Sequence, residues 1–205
     1  MLTKLDLKKD LKQLYNPSAK GCAIVDVPPM NFLMIDGRGD PNTAQEYKEA
    51  VEALYSAAYT LKFAMKKQGV DYGVMPLEGL WWSDDMADFT VGRRSDWRWT
   101  MMIMQPDVVT ADHTAEAIRA AQAKKGLPGL AKIRFESYCE GLSAQIMYFG
   151  LYKDEGPTIA NVHKFIVESG YVLTGKHHEI YIGDPRRTAP EKLKTVIRQP
   201  MRNNR

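Results

Sequence analysis

One order of elements occurs twice in this chain, and it restricts the possible folds more than any other feature. The stretches MIDGRGDPNTAQEY (34–47) and MYFGLYKDEGPTIANV (147–162) match in kind. Each reads as a hydrophobic strand, a Gly exit, an acidic turn containing Pro, and the start of a helix. The strands that follow the two helices also correspond: PLEGLWW (76–82) after the first and HHEIYI (177–182) after the second. Aligned in this way, Glu78 and Glu179 take equivalent places. Two such modules would each expose a hydrophobic sheet face, and packing them about a pseudo-twofold axis would bury it. A cleft between the halves, lined from two sheets, is a natural small-molecule site. The expected fold class is therefore α+β: duplicated strand–helix–strand–strand modules in pseudo-twofold arrangement within one domain, 1–205. Its approximate halves are 20–106 and 130–185, with 186–205 as a basic C-terminal tail.

The first helix is the clearest element. Tyr47, Val51, Leu54, Ala58, Leu61 and Met65 recur at alternating spacings of four and three, which makes one stripe over about Thr43–Gln68. Asn42 or Thr43 can cap it, with Glu46 completing a capping box on Thr43, and Gly69 ends it. Further helices are expected over 3–15, 110–125, 158–169 and 188–198, the last because Pro190 suits a first turn. Strands are expected over 23–27, 31–37, 74–82 and 97–105, and 83–96 is polar and turn-rich. Residues 132–139 and 142–149 read as a hairpin joined at Glu140-Gly141.

GKHHEIYIGDP (175–185) carries the most chemistry. In an extended chain alternate side chains share a face, so His177, Glu179 and Tyr181 point one way and His178, Ile180 and Ile182 the other. The first set is too polar for an ordinary core. Its carboxylate can be a reactive group, a ligand-binding group, or a paired charge.

Composition excludes several classes. Of 205 residues 44% are hydrophobic and 26% charged, which fits a globular chain with a real core. A net charge of +3 makes no nucleic-acid footprint. The excess collects after Asp184, where Arg186, Arg187, Lys192, Lys194, Arg198, Arg202 and Arg205 face one acid, Glu191; this reads as a solvated helix and frayed end. No run is long and apolar enough for a signal peptide or a bilayer span, and Cys22 and Cys139 make no disulfide framework, so the expected location is the cytoplasm. Cys139 reads as a half-buried thiol. His177 and His178 lie on opposite strand faces while His113 and His163 are scattered, so no metal site is expected. Gly37-Arg38-Gly39 lacks the third glycine of a dinucleotide fingerprint, and no cofactor is implied.

The segments NFLMIDGRGDPN, PLEGLWWSDD, WRWTMMIMQPD, EGLSAQIMYFGLYKDEGPT and HHEIYIGDPRRTAPEKLKTVIRQP together resemble the GyrI-like small-molecule-binding proteins, in the stand-alone branch without DNA-binding helices. The resemblance covers roughly residues 20–200. It implies the duplicated fold with a ligand cleft. It also implies one of two roles: hydrolysis of cyclopropane rings in DNA-alkylating natural products, or effector binding as in multidrug-responsive regulators. A topoisomerase-modulating role is suggested by the family name alone. The chain departs from many relatives at Tyr148, where His is expected.

Two constellations fit those roles. Trp81, Trp82, Trp97 and Trp99 lie within nineteen residues, and Tyr138, Tyr148, Tyr152 and Tyr181 sit on or near strands of the second half. Such rings suit planar, aromatic or cationic ligands, or else fill an interface. Trp82, Trp99, Tyr148, Tyr181, His177 and Glu78 are the expected ligand-binding residues. The carboxylates Glu78 and Glu179 form the second constellation. A carboxylate among rings loses hydration, and its pKa rises unless it is paired. Glu179 is the expected base that activates water, with Tyr138 or Tyr181 as proton donor or orienter. Non-catalytic sequestration of aromatic or cationic drugs is the alternative.

Overall fold

A computed structural model describes residues 2–83 and 94–204. The first elements are β1 (Thr3–Leu5), α1 (Leu7–Asp10), α2 (Lys12–Tyr15), β2 (Ala23–Val27), β3 (Met30–Arg38), α3 (Gln45–Lys67), β4 (Val70–Tyr72), β5 (Leu77–Trp82) and β6 (Arg98–Gln105). There follow α4 (Ala111–Lys125), β7 (Arg134–Tyr138), β8 (Gly141–Phe149), α5 (Gly156–Glu168), β9 (Tyr171–Leu173), β10 (His177–Tyr181) and β11 (Lys194–Asn203). Of the turn-rich segment 83–96, residues 84–93 lie outside the described residues.

The chain divides into two compact units. One comprises the described residues of Met1–Asp10 and Met30–Tyr138, the other those of Leu11–Pro29 and Cys139–Arg205. In the first, antiparallel strands run in the order β5-β6-β3-β7, and β1 pairs in parallel with β4. In the second, the order is β10-β11-β8-β2, with β9 on the far end of β11. Both units thus follow strand, long helix, short strand, strand, strand: β3-α3-β4-β5-β6 and β8-α5-β9-β10-β11. The fold is α+β and duplicated.

The α3 stripe is buried along Ala50, Leu54, Ala57, Ala58, Leu61 and Met65. Leu61 and Met65 pack with Tyr72, Val109 and Ala117, and Leu5 and Leu7 close that cluster. Ala44 precedes α3 with no side-chain cap, because Asp40 takes the turn instead: its Oδ1 accepts from the Asn42 backbone N–H at 2.9 Å. Glu46 is left to pair with Lys132 at 2.6 Å. Gly69 at φ 93° closes the helix, a left-handed position suited to glycine. In the second unit Val162 and Ile166 of α5 pack onto Ala144, Ile146, Ile197 and Met201 of the sheet.

Four expectations change. Residues 3–15 hold a three-residue strand and two four-residue helices rather than one helix, because Thr3–Leu5 pairs with Val70–Tyr72. The basic tail is no frayed helix: Lys194–Asn203 is an interior strand, laddered to β10 on one side and β8 on the other. A module of this plan needs a strand after β10, and burial of Val196 and Ile197 meets that need. Residues 132–149 are no hairpin, since β7 pairs with β3 while β8 pairs with β2 and β11. The chain passes from one unit to the other at Cys139, whose thiol is exposed rather than half-buried.

Candidate functional site

The alternation of β10 places His177, Glu179 and Tyr181 on one face, and the sheet register says which face it is. Glu179 stands opposite Ile197, which stands opposite Ile146. Both isoleucines pack beneath α5, so the polar set of β10 lies on the helix-covered side. Glu179 is only 8% exposed. Tyr181 donates its hydroxyl to Glu179 Oε2 at 2.7 Å, and His177 Nε2 lies 3.2 Å from Oε1. An ionised carboxylate only accepts, so Nε2 carries the proton in this pairing. Glu155, the residue before α5, is buried as well and helps to lower the Glu179 carboxyl. Burial pushes the Glu179 carboxyl up, but His177, Glu155 and Tyr181 outweigh it and hold it below the ordinary range. This is the paired case, in which the rise that burial alone would give does not occur.

Neighbouring groups extend the cluster. Tyr152 packs edge-on against Tyr181, with ring centroids 5.2 Å apart. Thr195 stands opposite both Tyr181 and Tyr148 in the ladder. The Tyr148 hydroxyl donates to the Leu151 carbonyl at 3.1 Å, folding back over Gly150. Burial, with Asp154 and Glu155 nearby, pushes that phenol up. His163 of α5 is held below the usual imidazole range by burial and by His177.

The other face of β10 carries a buried ion network. His178 Nδ1 lies 3.0 Å from both oxygens of Glu140, and Arg198 donates to Glu140 Oε2 at 3.0 Å. Arg198 also donates to Gln145 Oε1 at 2.9 Å and to the Leu14 carbonyl at 2.7 Å, and Gln145 donates to the Gln13 carbonyl at 2.7 Å. Burial pushes Glu140 up, yet His178 and Arg198 bring it down to about 2. Arg198 therefore ties the sheet to α2.

In the first unit, Trp81 and Trp99 face each other across β5 and β6 on the side of α3. Tyr47 stacks on Trp81 at 6.1 Å and meets Trp99 edge-on at 5.3 Å. Trp99 is fully buried, with its ring lying over Gly37. Glu78, also fully buried, shares the opposite strand face with Leu80 and Trp82. Tyr138 packs edge-on against Phe32 at 6.4 Å.

The register corrects the expected equivalence of the two glutamates. Leu33 and Ile146 stand four residues before the exit glycines Gly37 and Gly150. Leu33 leads across the ladder through Ile103 to Leu77, and Ile146 leads through Ile197 to Glu179. Leu77, not Glu78, is the counterpart of Glu179, and one residue of offset turns a side chain to the opposite face.

A family model for the GyrI-like small molecule binding domain matches residues 22–202. The chain belongs to the GyrI-like family. An uncharacterized conserved protein from Listeria innocua is 39% identical, with a TM-score of 0.90 over 97% of this chain and 100% of that one. A structure from the same organism described as a hydrolase is 39% identical, with a TM-score of 0.83 over 97% of this chain and 100% of that one. Another so described is 37% identical, with a TM-score of 0.87 over 98% of this chain and 100% of that one. No curated protein matches the chain.

Within this GyrI-like chain the structure joins His177, Glu179 and Tyr181 into one bonded set in the second unit, with Tyr148 on the same sheet face. Glu78, Trp82, Trp99 and Tyr138 lie in the first unit. Sequence reasoning passed over Glu155, Glu140 and Arg198. Glu155 was legible as an acid directly before Gly156-Pro157 at a helix start; Glu140 and Arg198 carried no local signal. Among the described residues no group of three or more His, Cys, Asp or Glu side chains could hold a metal ion. No described helix is long and apolar enough to cross a membrane.

Proposed function

We propose that this GyrI-like protein hydrolyses electrophilic, cyclopropane-bearing aromatic compounds, with Glu179 activating water. The observation that carries the reading is the buried Glu179 carboxylate with donors on both oxygens, His177 at 3.2 Å and Tyr181 at 2.7 Å. A carboxylate so held is ionised at neutral pH, and each oxygen keeps a lone pair for a water proton. Water would form the new C–O bond at the cyclopropane carbon while the strained C–C bond breaks. The electron pair would pass to a conjugated carbonyl, whose oxygen becomes a phenolate within the ring-opened product. Tyr181, bonded to Glu179 at 2.7 Å, or Tyr138 serves as proton donor or orienter of the base. The two Listeria relatives described as hydrolases support the reaction class.

A second reading is retained for one observation. An ionised carboxylate beside the rings of Tyr181 and Tyr152 also suits sequestration of a planar aromatic or cationic drug without reaction. Single-turnover product analysis with a cyclopropane-bearing alkylator separates the two. Wild type is expected to release ring-opened hydrate, and Glu179→Gln to lose about 10²–10⁴-fold in rate. Stoichiometric binding without product would leave sequestration as the function. Full turnover by Glu179→Gln would remove Glu179 from the role of base. Neither reading calls on a cofactor, a nucleic acid or a membrane, and the expected place of action is the cytoplasm.

A further inference from the structure

Thr195 shares a sheet face with Glu179. It alternates with Ile197 along β11, so both side chains point toward α5. Its ladder partners are Tyr181 on one side and Tyr148 on the other. The residue is fully buried, and its Oγ1 meets no hydrogen-bonding atom among the described residues. Both tyrosine protons are committed elsewhere: Tyr181 donates to Glu179 at 2.7 Å and Tyr148 to the Leu151 carbonyl at 3.1 Å. Valine has nearly the same shape and no polar atom, whereas a buried hydroxyl left unbonded is destabilising. An enclosed polar atom of this kind is met by an internal water, which needs at least two polar partners. The second partner is Glu179. It is the diagonal neighbour of Thr195, since Glu179 pairs with Ile197 and Tyr181 with Thr195. Diagonal neighbours on one face have Cβ atoms roughly 7–8 Å apart, and one water bridges polar atoms about 5–6 Å apart. The Glu179 carboxyl reaches beyond its Cβ and is drawn by its hydrogen bond toward Tyr181, the cross-strand partner of Thr195.

We propose that Thr195 is the water-positioning residue of the reaction, its buried hydroxyl donating to the water that Glu179 activates. This rests on the hydrolase reading and adds how the nucleophile is held. The water donates one proton to Glu179 and accepts the hydroxyl proton of Thr195 in a hydrogen bond. Its remaining lone pair is thereby aimed at the cyclopropane carbon. The C–O bond forms as the strained C–C bond breaks, and the electron pair ends on the conjugated carbonyl oxygen. That oxygen takes a proton from the tyrosine donor. Glu179 and the tyrosine return to their starting states by proton exchange with solvent, and the net change is addition of H and OH across the broken bond. A planar apolar substrate displaces loosely held water as it enters, while a water anchored on an enclosed hydroxyl stays in place.

Two measurements test this, with Thr195→Val removing the hydroxyl at constant shape and Thr195→Ser keeping it. High-resolution crystal structures without substrate locate the water. In wild type an ordered water is expected within hydrogen-bonding distance of both Thr195 Oγ1 and a Glu179 oxygen. It is expected to be gone from Thr195→Val while Glu179 keeps its bonds to His177 and Tyr181. A wild-type crystal with no water between Thr195 and Glu179 overturns the proposal and leaves hydrolysis by Glu179 standing. The second measurement is steady-state turnover of a cyclopropane-fused dienone. Thr195→Val is expected to lose about 10²-fold in kcat with little change in KM, and Thr195→Ser to regain most of that loss. Full kcat in Thr195→Val, a change in KM alone, or a serine variant as slow as the valine one overturns the positioning role. If wild type opens no ring, the hydrolase reading falls and takes that role with it, and the crystal structures still decide whether Thr195 and Glu179 hold a water.

Discussion

Glu140→Gln tests the ion network behind β10. In the folded protein Glu140 titrates at about 2 against an ordinary value of 4.5, because His178 and Arg198 outweigh the cost of burial. A shift of roughly 2.5 units corresponds to about 3 kcal/mol of stability. The sign follows from proton binding. The unfolded chain takes up a proton near pH 4.5 that the folded protein refuses until about pH 2. The contribution is therefore complete above pH 4.5 and is lost as pH falls toward 2. Removing the carboxylate also leaves Arg198 buried with its charge uncompensated, a change that typically costs 3–5 kcal/mol, so about 3 kcal/mol is a lower expectation. Urea denaturation of wild type and Glu140→Gln at steps from pH 7 to pH 2.5 measures both quantities. The stability difference should be about 3 kcal/mol or more at pH 7 and should shrink steadily below pH 4.5. Other carboxylates that titrate in this range, Asp71 and Asp184 among them, are common to both proteins and cancel in the difference. A difference below about 1 kcal/mol at pH 7, or one that stays constant with pH, refutes the argument.

Three further outcomes are expected. Gly37→Ala would put a Cβ into the Trp99 ring, and thermal or urea unfolding should show a loss of about 1–3 kcal/mol from overpacking. Thr110→Ala removes the hydroxyl that accepts from the His113 backbone N–H at 3.3 Å, and should cost about 1 kcal/mol by the same measurement. Tyr181→Phe deletes a donor that lowers Glu179, so the Glu179 pKa rises and the acidic limb of the kcat/KM profile moves to higher pH. An unmoved limb would separate Tyr181 from the titration of Glu179.

Much of the fold was legible because periodicity is a local property. The α3 stripe, the Gly69 stop and the alternation of β10 follow from residue spacing alone. The C-terminal strand was not legible in the same way. Lys194–Asn203 contains Pro200 and three basic residues, and its run of apolar side chains is short. Interior place in the sheet, with partners on both edges, overrides those local signs. Composition likewise counted Arg198 as one charge of a solvated tail, whereas folding buries it completely against Glu140. Charge counts report how many groups exist and not which of them meet.

The sequence by itself determined the duplicated plan and the shared face of His177, Glu179 and Tyr181, since both rest on the geometry of a chain and its neighbours along it. Only the tertiary structure decided that this face lies beneath α5. It alone set Leu77 rather than Glu78 opposite Ile103, and brought Glu155 to Glu179 from a turn 24 residues earlier. The reason is register. Which side of a sheet a strand buries, and which distant side chain arrives there, depends on pairing between strands far apart in the chain.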